Sequence, residues 1–279
     1  SDVATQILQA FSSVFSAEAA MKKMSILVDK LGTKVFGENV TIVDSKVLEG
    51  AFSGIKTLTN VNVTSEEIGS YAFANCNNLA SVVVNASVIN NNAFANCINL
   101  TTLNLNGVIT IGDSAFINNV KLETVESSTL QYIGNYAFAN CNNLTALNTP
   151  NVKTIGDYAF ASTDQKSANK LTSLEFSNDL ETIGEYAFYG SLDLVNVTIG
   201  NGLTSIGQYA FASCRNLEEI SVLSNLEVIK ECTFAEDDAL VTVNIPGIKY
   251  IEGGAFMNCT SLANIDLTTV IEIGSEAFY

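Results

Sequence analysis

The chain has no histidine, no tryptophan, one arginine (Arg215) and two prolines in 279 residues. Without histidine it lacks the commonest general base, the Ser-His and Cys-His dyads and the commonest metal ligand. Basic residues are few, 13 against 29 acidic ones, for a net charge of −16. That field disfavours nucleic acid and anionic membrane, which both need basic patches. No apolar run approaches the ~18 residues of a membrane-spanning helix. Glycines recur about once per coil with no Gly-rich phosphate loop, and no Cys/His spacing fits zinc. No catalytic, cofactor-binding or metal residue can be named, and a non-enzyme without cofactor is expected. No signal peptide is visible, and the chain starts at Ser1 rather than Met, which reads as a trimmed or mature chain.

What is present is apolar and rich in asparagine. Hydrophobic residues make up 47%, enough for a sizeable core. Asparagine suits a chain made largely of turns. Residues 1–50 are close to neutral; the remainder carries eight basic and 23 acidic residues, a balance of −15.

Phenylalanine forms a ladder at Phe52, Phe73, Phe94, Phe116, Phe138, Phe160, Phe188, Phe211, Phe234, Phe256 and Phe278. The steps are 21 to 23 residues, with one of 28. A period in the twenties marks a solenoid. Alanine precedes every rung but Phe234, where Thr233 stands. Isoleucine recurs five residues before the rung and glycine usually four before, as in Ile133 and Gly134. A glycine there suits a corner of positive φ. Leucine recurs six after, with further apolar residues nine and eleven after, as in Leu100, Leu103 and Leu105. That alternation predicts one short strand per coil, paired in parallel with its equivalent in the next coil. Residues 1–50 do not repeat: Val3, Ile7, Phe11, Val14 and then Met21, Met24, Val28, Leu31 follow helical spacing. We expect a helical cap over residues 1–46 and about eleven repeats over 47–279, the last incomplete, so that the natural protein continues.

The motifs "IGDYAF" (155–160) and "FANCNNL" (138–144), joined to L-x-x-L-x-L, resemble the BspA-like class of leucine-rich repeats. The resemblance covers roughly residues 47–279. It implies a right-handed, gently curved solenoid, β-dominated, with a parallel sheet on its concave side and short or helical turns elsewhere. It also implies a secreted or cell-surface protein of a host-associated microbe, and an adhesin that binds host matrix or another microbe's surface protein.

Several constellations remain to be weighed. Cys76, Cys97, Cys141, Cys214 and Cys259 all stand three after the rung, where other coils hold Asn119, Thr163, Ser191 and Asp237. Such a set wants a small side chain that hydrogen-bonds a turn. A disulfide between Cys76 and Cys97 is sterically open, since adjacent coils lie ~4.8 Å apart; Cys232 is out of register. Tyr136, Tyr158, Tyr186 and Tyr209, two before consecutive rungs, read either as packing around the corner or as a contact stripe. The outward face of the predicted sheet carries Thr102, Asn104, Glu126, Asn148, Glu175, Thr198, Glu219, Asn244 and Asp266. It is polar, mildly acidic and fit for a polar or basic partner, or else simply solvated. "STDQKSANK" (162–170) should bulge as an exposed loop. "AEDDAL" (235–240) lacks calcium-ligand spacing and reads as a solvated turn. The sequence therefore points to a non-catalytic surface module for protein or glycan recognition, with a structural spacer or assembly scaffold as the alternative.

Overall fold

The computed structural model describes residues 38–163, 167–224 and 226–279. The helices expected over 1–46 lie, up to residue 37, outside the described residues. Each coil supplies two strands, a first of three to five residues (two in the last coil) and a second of two. In chain order these are β1 (Asn39–Val43), β2 (Lys46–Val47), β3 (Asn60–Thr64), β4 (Glu67–Ile68), β5 (Ser81–Asn85) and β6 (Val88–Ile89). Then come β7 (Thr102–Asn106), β8 (Thr110–Ile111), β9 (Thr124–Glu126), β10 (Tyr132–Ile133), β11 (Ala146–Asn148) and β12 (Thr154–Ile155). After the long step follow β13 (Ser173–Phe176), β14 (Thr182–Ile183), β15 (Asn196–Ile199), β16 (Ser205–Ile206) and β17 (Glu219–Val222). The array closes with β18 (Val228–Ile229), β19 (Thr242–Asn244), β20 (Tyr250–Ile251), β21 (Asn264–Ile265) and β22 (Glu272–Ile273).

Every pairing is parallel and joins equivalent residues, such as Val82↔Leu103 and Ile68↔Ile89. The chain is a parallel-strand solenoid. Two of its sides are sheets. The longer strands form one side, as blocks β1-β3-β5-β7, β9-β11 and β13-β15-β17-β19-β21. The short strands form the other, as β2 through β16 and then β18-β20-β22. The sequence predicted only the first of these. The register isoleucines end the short strands and are buried in every coil from Ile68 to Ile251.

The third side is a run of tight turns. Among the described residues there is no helix, so the helical turns that the resemblance implies are replaced by β-turns. In one coil Ala72 N–H donates to Gly69 O at 3.1 Å, Ala74 to Tyr71 at 3.1 Å and Cys76 to Phe73 at 3.4 Å. Tyr71 (φ 57°) and Asn75 (φ 60°) take the third place of a turn, where positive φ makes it type II. The positive φ thus falls two residues either side of the phenylalanine, and not on the register glycine. That glycine answers to crowding: a Cβ on Gly134 would lie 2.7 Å from Asp113 N, and one on Gly207 2.4 Å from Glu185 N. The turns also pair coil to coil, since Phe73 N–H donates to Ala93 O at 2.7 Å and Phe138 N–H to Ala159 O at 2.8 Å.

Inside these sides the phenylalanine rings stack. Phe52 to Phe256 are all buried, and successive centroids lie 5.0 Å (Phe73–Phe94) to 5.9 Å (Phe211–Phe234) apart. With near-parallel planes, that spacing is the favoured offset arrangement. The ladder, the isoleucines and the strand residues make one continuous core. Truncating one such ring to alanine removes about 3–5 kcal/mol.

Candidate functional site

Over the turns, polar side chains are matched to their equivalents in the next coil. Asn96 Nδ2 donates to Asn75 Oδ1 (3.1 Å), Asn118 to Asn96 (2.8 Å) and Asn140 to Asn118 (3.0 Å). Thr163 N–H closes that ladder on Asn140 Oδ1 at 3.0 Å. A second ladder caps backbone N–H groups: Asp113 N donates to Asn91 Oδ1 (2.9 Å), Asn135 N to Asp113 (2.8 Å), Asp157 N to Asn135 (2.8 Å) and Glu185 N to Asp157 (2.8 Å). Each of these groups thus spends part of its hydrogen-bonding capacity on the neighbouring coil.

The cysteine column behaves as its mixed composition implied. Each thiol donates to the carbonyl of the ladder phenylalanine one coil earlier: Cys76 to Phe52 (3.1 Å), Cys97 to Phe73 (3.2 Å), Cys141 to Phe116 (3.4 Å), Cys214 to Phe188 (3.3 Å) and Cys259 to Phe234 (3.0 Å). Asn119 does the same to Phe94 at 2.9 Å. All six cysteines are free, Cys76 and Cys97 included. Burial pushes the Cys76 and Cys141 thiols up to about 12 and raises Cys97, Cys214 and Cys259 as well. They are therefore poor nucleophiles.

Two assignments in that column change. Thr163 is exposed on the asparagine ladder, and the equivalent inward group is Asn169, whose Nδ2 donates to Phe160 O at 3.0 Å. The segment 162–170 is consequently anchored at both ends: Ser162 and Asn169 are buried, while residues 164–166 lie outside the described residues. Asp237, expected in a solvated turn, is fully buried. Only its neighbours Glu236 and Asp238 reach solvent.

The tyrosines do form a stripe. Tyr136, Tyr158, Tyr186 and Tyr209 stack with centroids 4.7, 4.6 and 4.6 Å apart. Their ring faces cover one another, which leaves edges and hydroxyls outward. Cys232 takes the next place, its thiol donating to Gly253 O at 3.9 Å, and its side chain beside Tyr209, together with burial, pushes that hydroxyl up to about 12.

The longer strands point the expected residues outward: Thr102, Asn104, Glu126, Asn148, Glu175, Thr198, Glu219, Asn244 and Asp266 are all exposed. They form rows through the registered pairs Asn148↔Glu126, Glu175↔Thr198 and Ser221↔Asn244. Glu219 and Asp266 accept from Ser221 and Thr268, and Asn244 donates to Ser221 at 3.4 Å. Among the described residues, the side chains of Thr102, Asn104, Glu126, Asn148, Glu175 and Thr198 make no hydrogen bond or ion pair with the chain. Beside β11 the face sinks into two adjoining hollows of about 410 and 310 Å³ that share Asn148 and Pro150. Glu175 lines the first, Asn104 and Glu126 the second. These hollows had no signal in the repeat pattern, which treats every coil alike. Among the described residues no cluster of side chains could hold a metal ion, and no helix is long and apolar enough to cross a membrane.

Comparison with known proteins agrees with this geometry. A family model for the BspA type leucine rich repeat region matches residues 66–169 and 165–279. A model for the PmbA/TldA metallopeptidase C-terminal domain matches residues 1–56, of which 38–56 form the first strands and turn of the solenoid. Curated proteins give no match. A leucine rich cell surface protein from Faecalibacterium prausnitzii is similar at 21% identity and a TM-score of 0.50, over 83% of this chain and 88% of that one. A leucine-rich repeat protein from Bacteroides ovatus aligns at 22% identity and a TM-score of 0.47, over 85% and 82%. Another from T. pallidum aligns at 20% and 0.47, over 66% and 79%. Leucine-rich-repeat solenoids are in general non-enzymatic modules of protein interaction. The repeat model spans more than half of the sequence, and the chain belongs to the BspA type leucine rich repeat family.

Proposed function

We propose that this chain is a non-catalytic recognition module of a cell surface that binds a protein partner through the open face of its long sheet. The carrying observation is a contrast in hydrogen bonding. Over the turns, amides and carboxylates are matched coil to coil. At the centre of the sheet face, Thr102, Asn104, Glu126, Asn148, Glu175 and Thr198 are exposed and unpaired among the described residues. The paired backbone holds their Cα atoms in rows, so association has to order these side chains but not the strands that carry them. The outward positions of these strands carry three carboxylates, Glu126, Glu175 and Glu219, with Asp266 just past β21, and no Lys or Arg. The partner is accordingly basic or amide-rich, such as a host matrix protein or a surface protein of another microbe. A surface location is in keeping with the similar F. prausnitzii chain, a leucine rich cell surface protein.

Combined replacement of Asn104, Glu126, Glu175 and Thr198 by alanine should weaken a partner found by cross-linking about tenfold or more. Melting should be unchanged, because all four are solvent-facing. Equal affinity in a surface plasmon resonance titration would remove the sheet face from the function.

A further inference from the structure

The inward residues at the centre of the longer strands form a column: Val61, Val82, Leu103, Val125, Leu174, Val197, Ile220 and Val243 are all buried. Leu147 belongs to that column and breaks it, being only partly buried. The break has a structural cause. β11 pairs with β9 alone, and the next strand, β13, follows the 28-residue step and is not paired to it. At this seam the outward residue is Ala146, where neighbouring coils place Thr124 and Ser173. A displaced strand and a missing side chain open the hollow of about 410 Å³, lined by Leu147, Pro150 and Phe176.

The chemistry of the hollow is mixed in a specific way. Its lining sets the apolar Ala146, Leu147, Pro150 and Phe176 among Thr145, Asn148, Ser173, Ser177 and Glu175, and Glu126 lines the adjoining hollow beyond Asn148. Neither carboxylate has an ion-pair partner among the described residues. Apolar side chains beside uncompensated carboxylates match a side chain with an aliphatic stem and a cationic head. Resting on the sheet-face reading above, we propose that this hollow is an anchor pocket for a lysine or arginine side chain of the protein partner. The stem lies on Leu147 and Pro150, and the head meets Glu175, with Glu126 adding negative charge from the adjoining hollow.

The probe is hexalysine, with hexanorleucine and hexaglutamate as controls, titrated into the whole chain carrying labelled leucine methyls. Hexalysine should shift the Leu147 methyl resonances saturably. Glu175→Gln with Glu126→Gln should weaken that response about tenfold, and Ala146→Trp, which fills the hollow, should abolish it. Leu147 signals that stay still, or that respond equally in the double glutamine variant or to hexanorleucine, would overturn the proposal. Glu175→Gln leaves shape and volume nearly unchanged, so the test stands even where Ala146→Trp misfolds. Partner binding that falls with Asn104→Ala and Thr198→Ala, yet ignores both Ala146→Trp and Glu175→Gln, overturns the pocket alone. The sheet-face reading would survive that result.

Discussion

Asp237 shows how much one rung can carry. It occupies the place of Cys214 and Cys259 in adjacent coils, where each thiol donates to a phenylalanine carbonyl. A carboxylate cannot donate. Its Oδ1 accepts from Cys214 N–H at 2.8 Å, while its buried Oδ2 has no partner. Burial, with Asp238 and Glu236 adding negative charge, raises its pKa well above the ordinary 3.8. The Cys214 and Cys259 thiols that flank it are raised too, in part by the charge of Asp237 itself. A folded pKa above the unfolded one means stability is fully present below pH 3.8 and is lost as pH rises toward the folded value. The loss approaches ~1.4 kcal/mol per pH unit in that window. Asn119 shows that asparagine fits the column. Asp237→Asn should therefore melt higher than the parent at pH 7, by about 1–3 kcal/mol. The gap should shrink as pH is lowered toward 4; a gap that ignores pH between 4 and 8 would mean the carboxyl is never ionised in the fold.

The turn that carries each phenylalanine is the element where sequence and backbone agree most closely. Positive φ falls two before the rung (Tyr136, φ 57°) and two after it (Asn118, φ 60°; Asn140, φ 59°). Asparagine tolerates this region better than other non-glycine residues, and the ladder bonds hold it there. Asn118→Gly and Asn118→Ala remove the same two ladder bonds, to Asn96 and from Asn140. Only alanine adds the left-handed penalty, so it should unfold about 1 kcal/mol more easily than glycine in urea titration. Equal stability would mean the turn relaxes its hand. The register, the core and the outward face were all legible from repetition, because each inward place must be filled in every coil. The second sheet was not, since two residues such as Thr110 and Ile111 carry no alternation. The glycine column was legible as a pattern but not as a cause, because Gly134 meets the backbone of another coil and not its own chain neighbours. The hollow at Leu147 escaped for the same reason. It arises between coils, where one long step displaces β13 from β11.

At the scale of the molecule, the breaks between sheet blocks are staggered. The long side is interrupted between β7 and β9 and between β11 and β13, where the short strands β8-β10 and β12-β14 stay paired. The short side is interrupted between β16 and β18, where β15-β17 pair on the long side. That last seam also has the widest phenylalanine spacing, Phe211 to Phe234 at 5.9 Å. Turn bonds cross every one of these places: Phe94 to Ala115 (2.8 Å), Phe138 to Ala159 (2.8 Å), Phe160 to Ala187 (2.8 Å) and Phe211 to Thr233 (3.0 Å). A solenoid's stability is a chain of neighbour contacts, and it divides into blocks only where one contact is much weaker than the rest. Here each interface keeps at least one paired sheet, the ring stack and the turn ladder, so no interface is weak enough to split the array. Native-state hydrogen exchange should find the amides of Phe94, Phe138, Phe160 and Phe211 opening together, with free energies within about 1 kcal/mol and one common denaturant dependence. Two groups of amides, divided at the 28-residue step and opening with different denaturant slopes, would show that the insertion separates the solenoid into independent halves. A single unit would instead hold the rows of Asn104, Glu126, Asn148 and Glu175 in fixed register across that step, as a partner spanning it requires.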